Sequence, residues 1–405
     1  MSFTIALSGL NAASTDLSAT ANNIANVSTT GFKGSRTEFA ELFAVSPQGT
    51  SNTQIGNGVR VSNVAQQFKQ GSIEVTGNSL DMAISGEGFF VMSDGGGLTY
   101  SRAGAFRLDN AGYVVNNANE RLQAYPVTPT GGFNTGGLTD LRLQTSVSAP
   151  TATANAQVLF NLPASSTPPT AAPLNPANAN TYNEATSLTV YDSLGAAHTG
   201  TMYFVKTANP NEWNTQLYVD GTAVGAAQTL QYSNTGTLVT PAGGTLTFPA
   251  YTPATGAAPL NLTFDVASTT QYGSVFSVNA VTQDGNTTGR LIGIDFDPTG
   301  VVQARFTNGR SIPLGQVALA NFSNPQGLQK LDNTSWAETF GSGQSLRGQA
   351  GSSGLGLIQS GALESSNVDL TEQLVKMITA QRNFQANAQV ISTSDQVTQT
   401  IINIR

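Results

Sequence analysis

The chain reads as a mixed, mainly β protein, with nested β domains inserted between long N- and C-terminal α-helices that pair as a coiled-coil-like unit. Three observations in its 405 residues carry this prediction. Apolar residues recur every seven positions at both ends, strand-like sequence fills the region between them, and an Asp-x-x-Gly turn signature repeats within that region.

The first helix rests on Phe3, Leu10, Leu17 and Ile24, with Ala6, Ala13, Thr20 and Val27 three places on. A stripe at that spacing lies on one side of a helix and needs a partner helix to cover it. The pattern predicts a helix over 3–27, opened by Ser2 or Thr4, closed by the turn-forming residues of 26–31 and roughly 40 Å long. At the other end Leu363, Leu370, Met377, Phe384 and Ile391 repeat the signal. Ser366 and Asp369 suggest a capping box there, and Glu372 and Lys376 stand in the favourable i, i+4 order. This helix is expected to run towards Ile402, about 35 residues and about 50 Å. Asp16 is the only charged residue in the first thirty, so even the outer face of the N-terminal helix tolerates burial. Both stripes are therefore expected to be covered by other copies of the chain.

Between the helices, residues from about 55 to 145 are punctuated for antiparallel strands. Val59 and Val61 alternate with polar neighbours, as do Ile73 and Val75, and Phe89, Phe90 and Val91 form a short apolar run. Asp109–Gly112, Asp192–Gly195 and Asp297–Gly300 each place Asp first and Gly fourth, as hairpin turns prefer. A calcium cage needs several carboxylates where each of these sites offers one, so the turn reading stands. Residues 150–180, rich in proline, predict an extended connector. Runs such as 201–205 and 216–219 predict a separate β domain from Leu188 to about Ala280, and a further β stretch spans Leu291 to Phe322, followed by a Gly- and Ser-rich segment at 341–356. The nested arrangement is a terminal helical assembly domain (1–30 and 363–405), connecting segments (31–71 and 341–362), an inner β domain (72–147 and 287–340) and an outer β domain (148–286).

Composition excludes several functions. Only 10% of residues are charged, against about 25% in an ordinary soluble protein, which leaves a surface of Ser, Thr, Asn, Gln and Gly with little long-range repulsion between copies. A net charge of −7 with scattered basic residues offers no stripe for nucleic acid. There is no cysteine for a disulfide or thiolate metal site, no basic leader region of a cleavable secretory signal, and no apolar run long enough for membrane insertion.

Reagents for catalysis are equally sparse. His198 is the only imidazole, and it is expected to be a solvent-exposed residue at a strand end. Neither a Gly-x-Ser-x-Gly elbow nor a Gly-Lys pair is present, Gly95–Gly97 reads as a hairpin loop, and Asp81 with Glu87 is a weak carboxylate pair for a glycosidase. No catalytic, cofactor-binding or metal-ligating residue is assigned, and no cofactor is expected.

Residues 6–12 (ALSGLNA) and 21–33 (ANNIANVSTTGFK) resemble the N-terminal signature of the bacterial flagellar rod and hook axial protein family. Residues 70–90 and 100–106 resemble the next block of its rod and hook branch, and 360–370 with 377–387 complete the pattern. Length and a large inserted outer domain are similar to the hook members; distal rod and hook-filament adaptor subunits are the neighbouring alternatives, and a secreted carbohydrate-binding β protein is the alternative of another class. The resemblance implies a homopolymer of hook subunits outside the cell, a curved tube acting as a universal joint that transmits torque. It further implies export through the flagellar type III apparatus without cleavage, and junctions with rod, hook-cap and hook-filament junction proteins. Asn22, Asn23, Asn26, Gly31, Phe32 and Lys33 are carried over as the family motif and turn. Phe3, Leu10, Leu17, Ile24, Val27, Leu370, Met377, Phe384 and Ile391 are the expected assembly interface.

Overall fold

The computed structural model describes residues 2–42, 56–143 and 147–403. Of the expected segments, 43–55 of the first connection, 144–146 at the end of the inner β domain and 404–405 of the last helix lie outside the described residues. Two α-helices, α1 (Ser2–Ala25) and α2 (Leu370–Asn403), bracket a body of β-strands. By contact, the chain divides into a first unit of Met1–Thr145, Gly293–Arg305 and Ser311–Arg405, which includes both helices, and a second unit of Ser146–Ile292 and Phe306–Arg310.

The first unit is organised around strand Ser311–Asn321, which pairs antiparallel with strands Arg121–Tyr125, Phe89–Ser93, Leu346–Gln349 and Val301–Phe306 at successive points along its length. Its sheet is buried on both faces. Phe90, Met92, Val317 and Leu319 enter one core with Met82, Ile84 and Ile358, whereas Phe89, Val91, Ala318 and Ala320 enter another with Tyr100, Phe322 and Trp336. The period of two sends alternate residues to opposite sides, and the apolar run at 89–91 is continuous because both sides are covered. Residues within 341–362 form strands Leu346–Gln349 and Leu357–Ser360, which pair with the first unit's other strands.

The second unit is a sandwich of two sheets around one core. A five-stranded antiparallel meander (Glu184–Tyr191, Ala197–Lys206, Glu212–Val219, Thr222–Tyr232, Leu238–Thr240) supplies Val190, Met202, Phe204, Trp213, Leu217 and Tyr232. The mixed sheet opposite is centred on strand Asn155–Pro163, whose Ala156, Val158, Phe160 and Leu162 point inward, with Phe160 and Phe204 rings 4.5 Å apart. This corrects the expectation of an extended connector over 150–180. The alternation at 156, 158, 160 and 162 is a strand signal, and Pro163 is tolerated because it ends the strand.

All three Asp-x-x-Gly segments form the expected turn by one mechanism. Gly112, Gly195 and Gly300 have φ of +83°, +85° and +83°, and their amides donate to the carbonyls of Asp109, Asp192 and Asp297 at 3.1, 3.0 and 2.9 Å. The Asp Oδ1 of each accepts two further backbone N–H groups, from residues two and four positions on. In each, Oδ1 is committed to turn geometry. The Gly95–Gly97 loop follows the same logic, with Asp94 Oδ1 accepting from Gly96 and Gly97 at 2.8 Å each, and these bonds hold its carboxyl below the usual range.

Candidate functional site

The two terminal helices run antiparallel in contact. At one end Asn23 Nδ2 donates to Gln373 Oε1 at 3.2 Å; fourteen residues away on each helix, a Cβ on Gly9 would come within 2.6 Å of Asn387 Oδ1. A larger residue at position 9 would displace the Asn387 side chain. One-for-one register from these points leaves the last residues of α2, about nine of them and ~13 Å, beyond the start of α1.

The facing surfaces are small and polar. On α1 the buried positions are Ala6, Ala12, Ala13, Thr20 and Asn23, and on α2 they are Gln373 and Ala380. The stripe residues, expected to be covered by other copies, are not buried within one copy: Phe3 is exposed, and Leu10, Leu17, Ile24 and Val27 are half-buried. On α2, Met377 and Ile391 are half-buried, while Leu370 and Phe384 are exposed. The residues three places beyond the α1 stripe, at 6, 13 and 20, take the covered face instead, because only small side chains fit between α1, α2 and the strands Ser35–Glu41 and Val59–Gln66 on which α1 also packs.

Large apolar side chains consequently face outward. Leu7 on α1 and Leu374, Val375, Ile378, Val390, Val397, Ile401 and Ile402 on α2 are 42–66% exposed. Burying each such side chain is worth roughly 1.5–3 kcal/mol, more than an alanine seam returns.

Where the helices meet the β body, four segments converge on one carboxylate. Glu364 Oε1 lies 2.6 Å from Lys33 Nζ and its Oε2 lies 3.3 Å from Arg102 Nη1; the Lys33 and Glu364 side chains are fully buried and Arg102 is 3% exposed. Gly71 N also donates to Glu364 Oε1, Lys33 Nζ donates to the Lys69 carbonyl at 2.9 Å, and Arg102 Nη2 donates to the Gly86 carbonyl at 2.9 Å. Burial pushes both the Lys33 ammonium and the Arg102 guanidinium below their ordinary values, with Glu364 acting against that push. Arg102 also lies over the Phe89 ring at 5.4 Å, while its Nε finds no partner among the described residues.

The motif residues around this knot each have a backbone task. Gly31 has φ +68° and a Cβ there would lie 2.4 Å from Ala103 N, so glycine is required; its amide donates to the Glu364 carbonyl at 2.8 Å. Phe32 is buried under Lys330, whose ammonium lies 5.1 Å from the ring centre. Asn23 pairs with the backbone of Ser35 like a strand, accepting from its N–H and donating to its carbonyl at 2.8 Å each. Asn26 donates to the Asn22 carbonyl at 2.9 Å and accepts from the Thr29 hydroxyl, closing the end of α1, whereas the Asn22 side chain is exposed. Asn367, which the sequence did not single out, accepts from Gly34 N and donates to the carbonyls of Gln67 and Lys69.

The α2 cap also differs from expectation. The helix begins at Leu370, so Asp369 is the N-cap, accepting from Glu372 N at 3.0 Å, and Ser366 lies outside. Glu372 and Lys376 do pair, at 2.7 Å. The predicted exposed His198 is buried, 7% accessible, between Asp192 and Asp220. Both ring nitrogens face carboxylates, so neither is free to activate a hydroxyl.

Four family profiles match in chain order: flagella basal body rod protein over 3–33, flagellar hook protein FlgE/F/G D1 domain over 83–159, flagellar basal body protein FlaE D2 domain over 161–286, and flagellar basal body rod FlgEFG protein C-terminal over 359–404. All four describe flagellar rod and hook components, which defines the class as a structural axial protein. The chain is 39% identical to the flagellar hook protein FlgE of Escherichia coli (strain K12), with all of both chains covered, and 34% identical to that of Borreliella burgdorferi, with 98% of each covered. It also resembles the solved flagellar hook protein FlgE2 of Helicobacter pylori in fold, at a TM-score of 0.56 and 13% identity, over 72% of this chain and all of that one. The chain belongs to the flagellar hook protein family, as a structural subunit of the bacterial flagellar hook, outside the cell body.

Proposed function

We propose that the outward apolar faces of α1 and α2 are the surfaces by which copies polymerise, with the two helices pairing in the manner of a coiled coil and lining the inside of a curved tube. The observation that supports this most is the division of side chains on the helices. The small residues are used within one copy, and the large apolar ones, from Leu374 and Ile378 to Val397 and Ile401, are left uncovered. In this reading Phe3, Leu10, Leu17, Ile24, Val27, Leu370, Met377, Phe384 and Ile391 contribute to the interface, and residues 31–71 with 341–362 connect the helical wall to the β domains.

Such a tube acts as a universal joint. Torsion is carried by the helical wall and by the Lys33–Glu364–Arg102 knot that fixes how the helices leave the β body. Bending is accommodated farther out, where sparse charge and abundant Ser, Thr, Asn and Gln give near-equal hydrogen-bonded arrangements, many through water. The chain has no catalytic role in this scheme, leaves the cell uncleaved through the type III export apparatus, and abuts rod, cap and hook-filament junction proteins. Isolated helices of this kind are marginal in water, so the ends are suited to threading through a channel and to ordering on assembly. Electron microscopy of the full chain after salting-out tests the reading: short curved tubes are expected, and a solution that stays free of filaments at every salt concentration contradicts it.

A further inference from the structure

The second unit contains the chain's single histidine in a setting that the assembly scheme does not use. His198 Nδ1 lies 2.6 Å from Asp220 Oδ2, and Nε2 lies 3.2 Å from Asp192 Oδ2. Carboxylate oxygens only accept, and a neutral imidazole carries one N–H, so a neutral ring would set a lone pair against one of the two carboxylates. Only the imidazolium, a donor at both nitrogens, satisfies the site.

The three side chains tie three separate loops together. Asp192 begins the turn between strands Glu184–Tyr191 and Ala197–Lys206, is fully buried, and accepts from the Thr255 hydroxyl at 2.8 Å, which brings in the loop around 251–255. Asp220 occupies the two-residue turn between Glu212–Val219 and Thr222–Tyr232, at a positive φ of +49°, and accepts from Thr199 N at 2.9 Å. The Tyr251 ring stands 6.1 Å from the imidazole. Asp192, Asp220 and Tyr251 are the titratable groups that face the ring.

We propose that Asp192, His198 and Asp220 form a proton-dependent latch on the second unit, closed while the imidazole holds both its N–H protons and released when it loses one. Release leaves Asp192 buried with a lost donor, so the turns at 192–195 and 220–221 and the 251–255 loop loosen together. Electrostatics agree with the geometry. Burial opposes the charge on His198, but the hydrogen bonds it donates to Asp220 and Asp192 outweigh it and raise the ring above the ordinary histidine value. Burial likewise opposes the Asp192 charge, yet bonds from Thr255, Ala196 and His198 prevail and hold it at about 2. The histidine contribution is therefore complete below about pH 6.5 and lost as pH rises through the folded value, while the Asp192 contribution is present above about pH 3.9 and lost as pH falls towards 2.

The latch is independent of the assembly reading and is tested on the full chain. With one histidine in the sequence, the imidazole C–H signal in an NMR titration belongs to His198 alone. A midpoint above about 6.5 that falls in D220N is expected; a midpoint at or below that value, or one unchanged in D220N, overturns the proposal. Protease cleavage at the 192–195 and 220–221 turns, mapped by mass spectrometry and expressed as the ratio of H198Q to the parent chain, should exceed one below the midpoint and approach one above it. A ratio that does not change with pH overturns the latch, and D220N serves if H198Q does not fold.

Discussion

Glu364→Ala destabilises the first unit by about 3–5 kcal/mol, read as a lower denaturant midpoint of the full chain. The substitution removes no large apolar group. It leaves the Lys33 ammonium and the Arg102 guanidinium buried without their common counter-ion, and it strips Gly71 N of its acceptor. Arg36→Ala provides the contrast, because the Arg36–Glu38 pair is exposed at 62% and 40% and should be worth less than about 1 kcal/mol. Replacing Lys33, Arg102 and Glu364 together by apolar residues of similar volume should recover most of the loss, since much of the cost is that of uncompensated charge. A Glu364→Ala loss no larger than the Arg36→Ala loss would show that the knot does not hold the four segments together.

Removing residues 1–30 and 365–405 should leave a soluble, folded β protein that forms no polymer under any salting-out condition. The deletion retains Lys33, Gly31, Arg102 and Glu364, and with them the knot, while it discards both outward apolar faces. A milder form places Asp at Val375 and Ile378, which are 60% and 50% exposed and so cost the folded copy little. If those faces are buried in the assembly, two uncompensated carboxylates in each contact should abolish growth. Collapse of the β core on truncation, or normal tubes from the Asp variant, would refute this division of roles.

Much of this arrangement was legible in the sequence, for identifiable physical reasons. The helices follow from heptad spacing, and Ala25 and Leu370 lie near the expected ends, although Leu363, counted in the C-terminal stripe, lies on strand Ala362–Glu364. The Asp-x-x-Gly turns follow because side chain and backbone of one residue determine the geometry locally. What the heptads could not tell was which of two adjacent faces a single copy covers. That is decided by steric fit along the seam, where Gly9 stands against Asn387 and Ala6, Ala12 and Ala13 are buried, a tertiary property. Strand Asn155–Pro163 was hidden behind a proline count, although its alternation was present. The Lys33–Arg102–Glu364 knot was missed because its members lie far apart in sequence and each alone reads as a surface charge. In a chain with so few charges, their location within the motif blocks was the available signal. His198 was misread for the same reason, since its partners are brought to it by two hairpin turns.

The account turns on who covers the greasy side of the terminal helices. Hydrogen exchange followed by mass spectrometry, on the full chain first as free copies and then as polymer, measures this directly. The account predicts that amides of α1 and α2 exchange rapidly in free copies and become strongly protected on polymerisation, while those of strand Ser311–Asn321 are protected in both states. Terminal helices already as protected in free copies as in the polymer would contradict it.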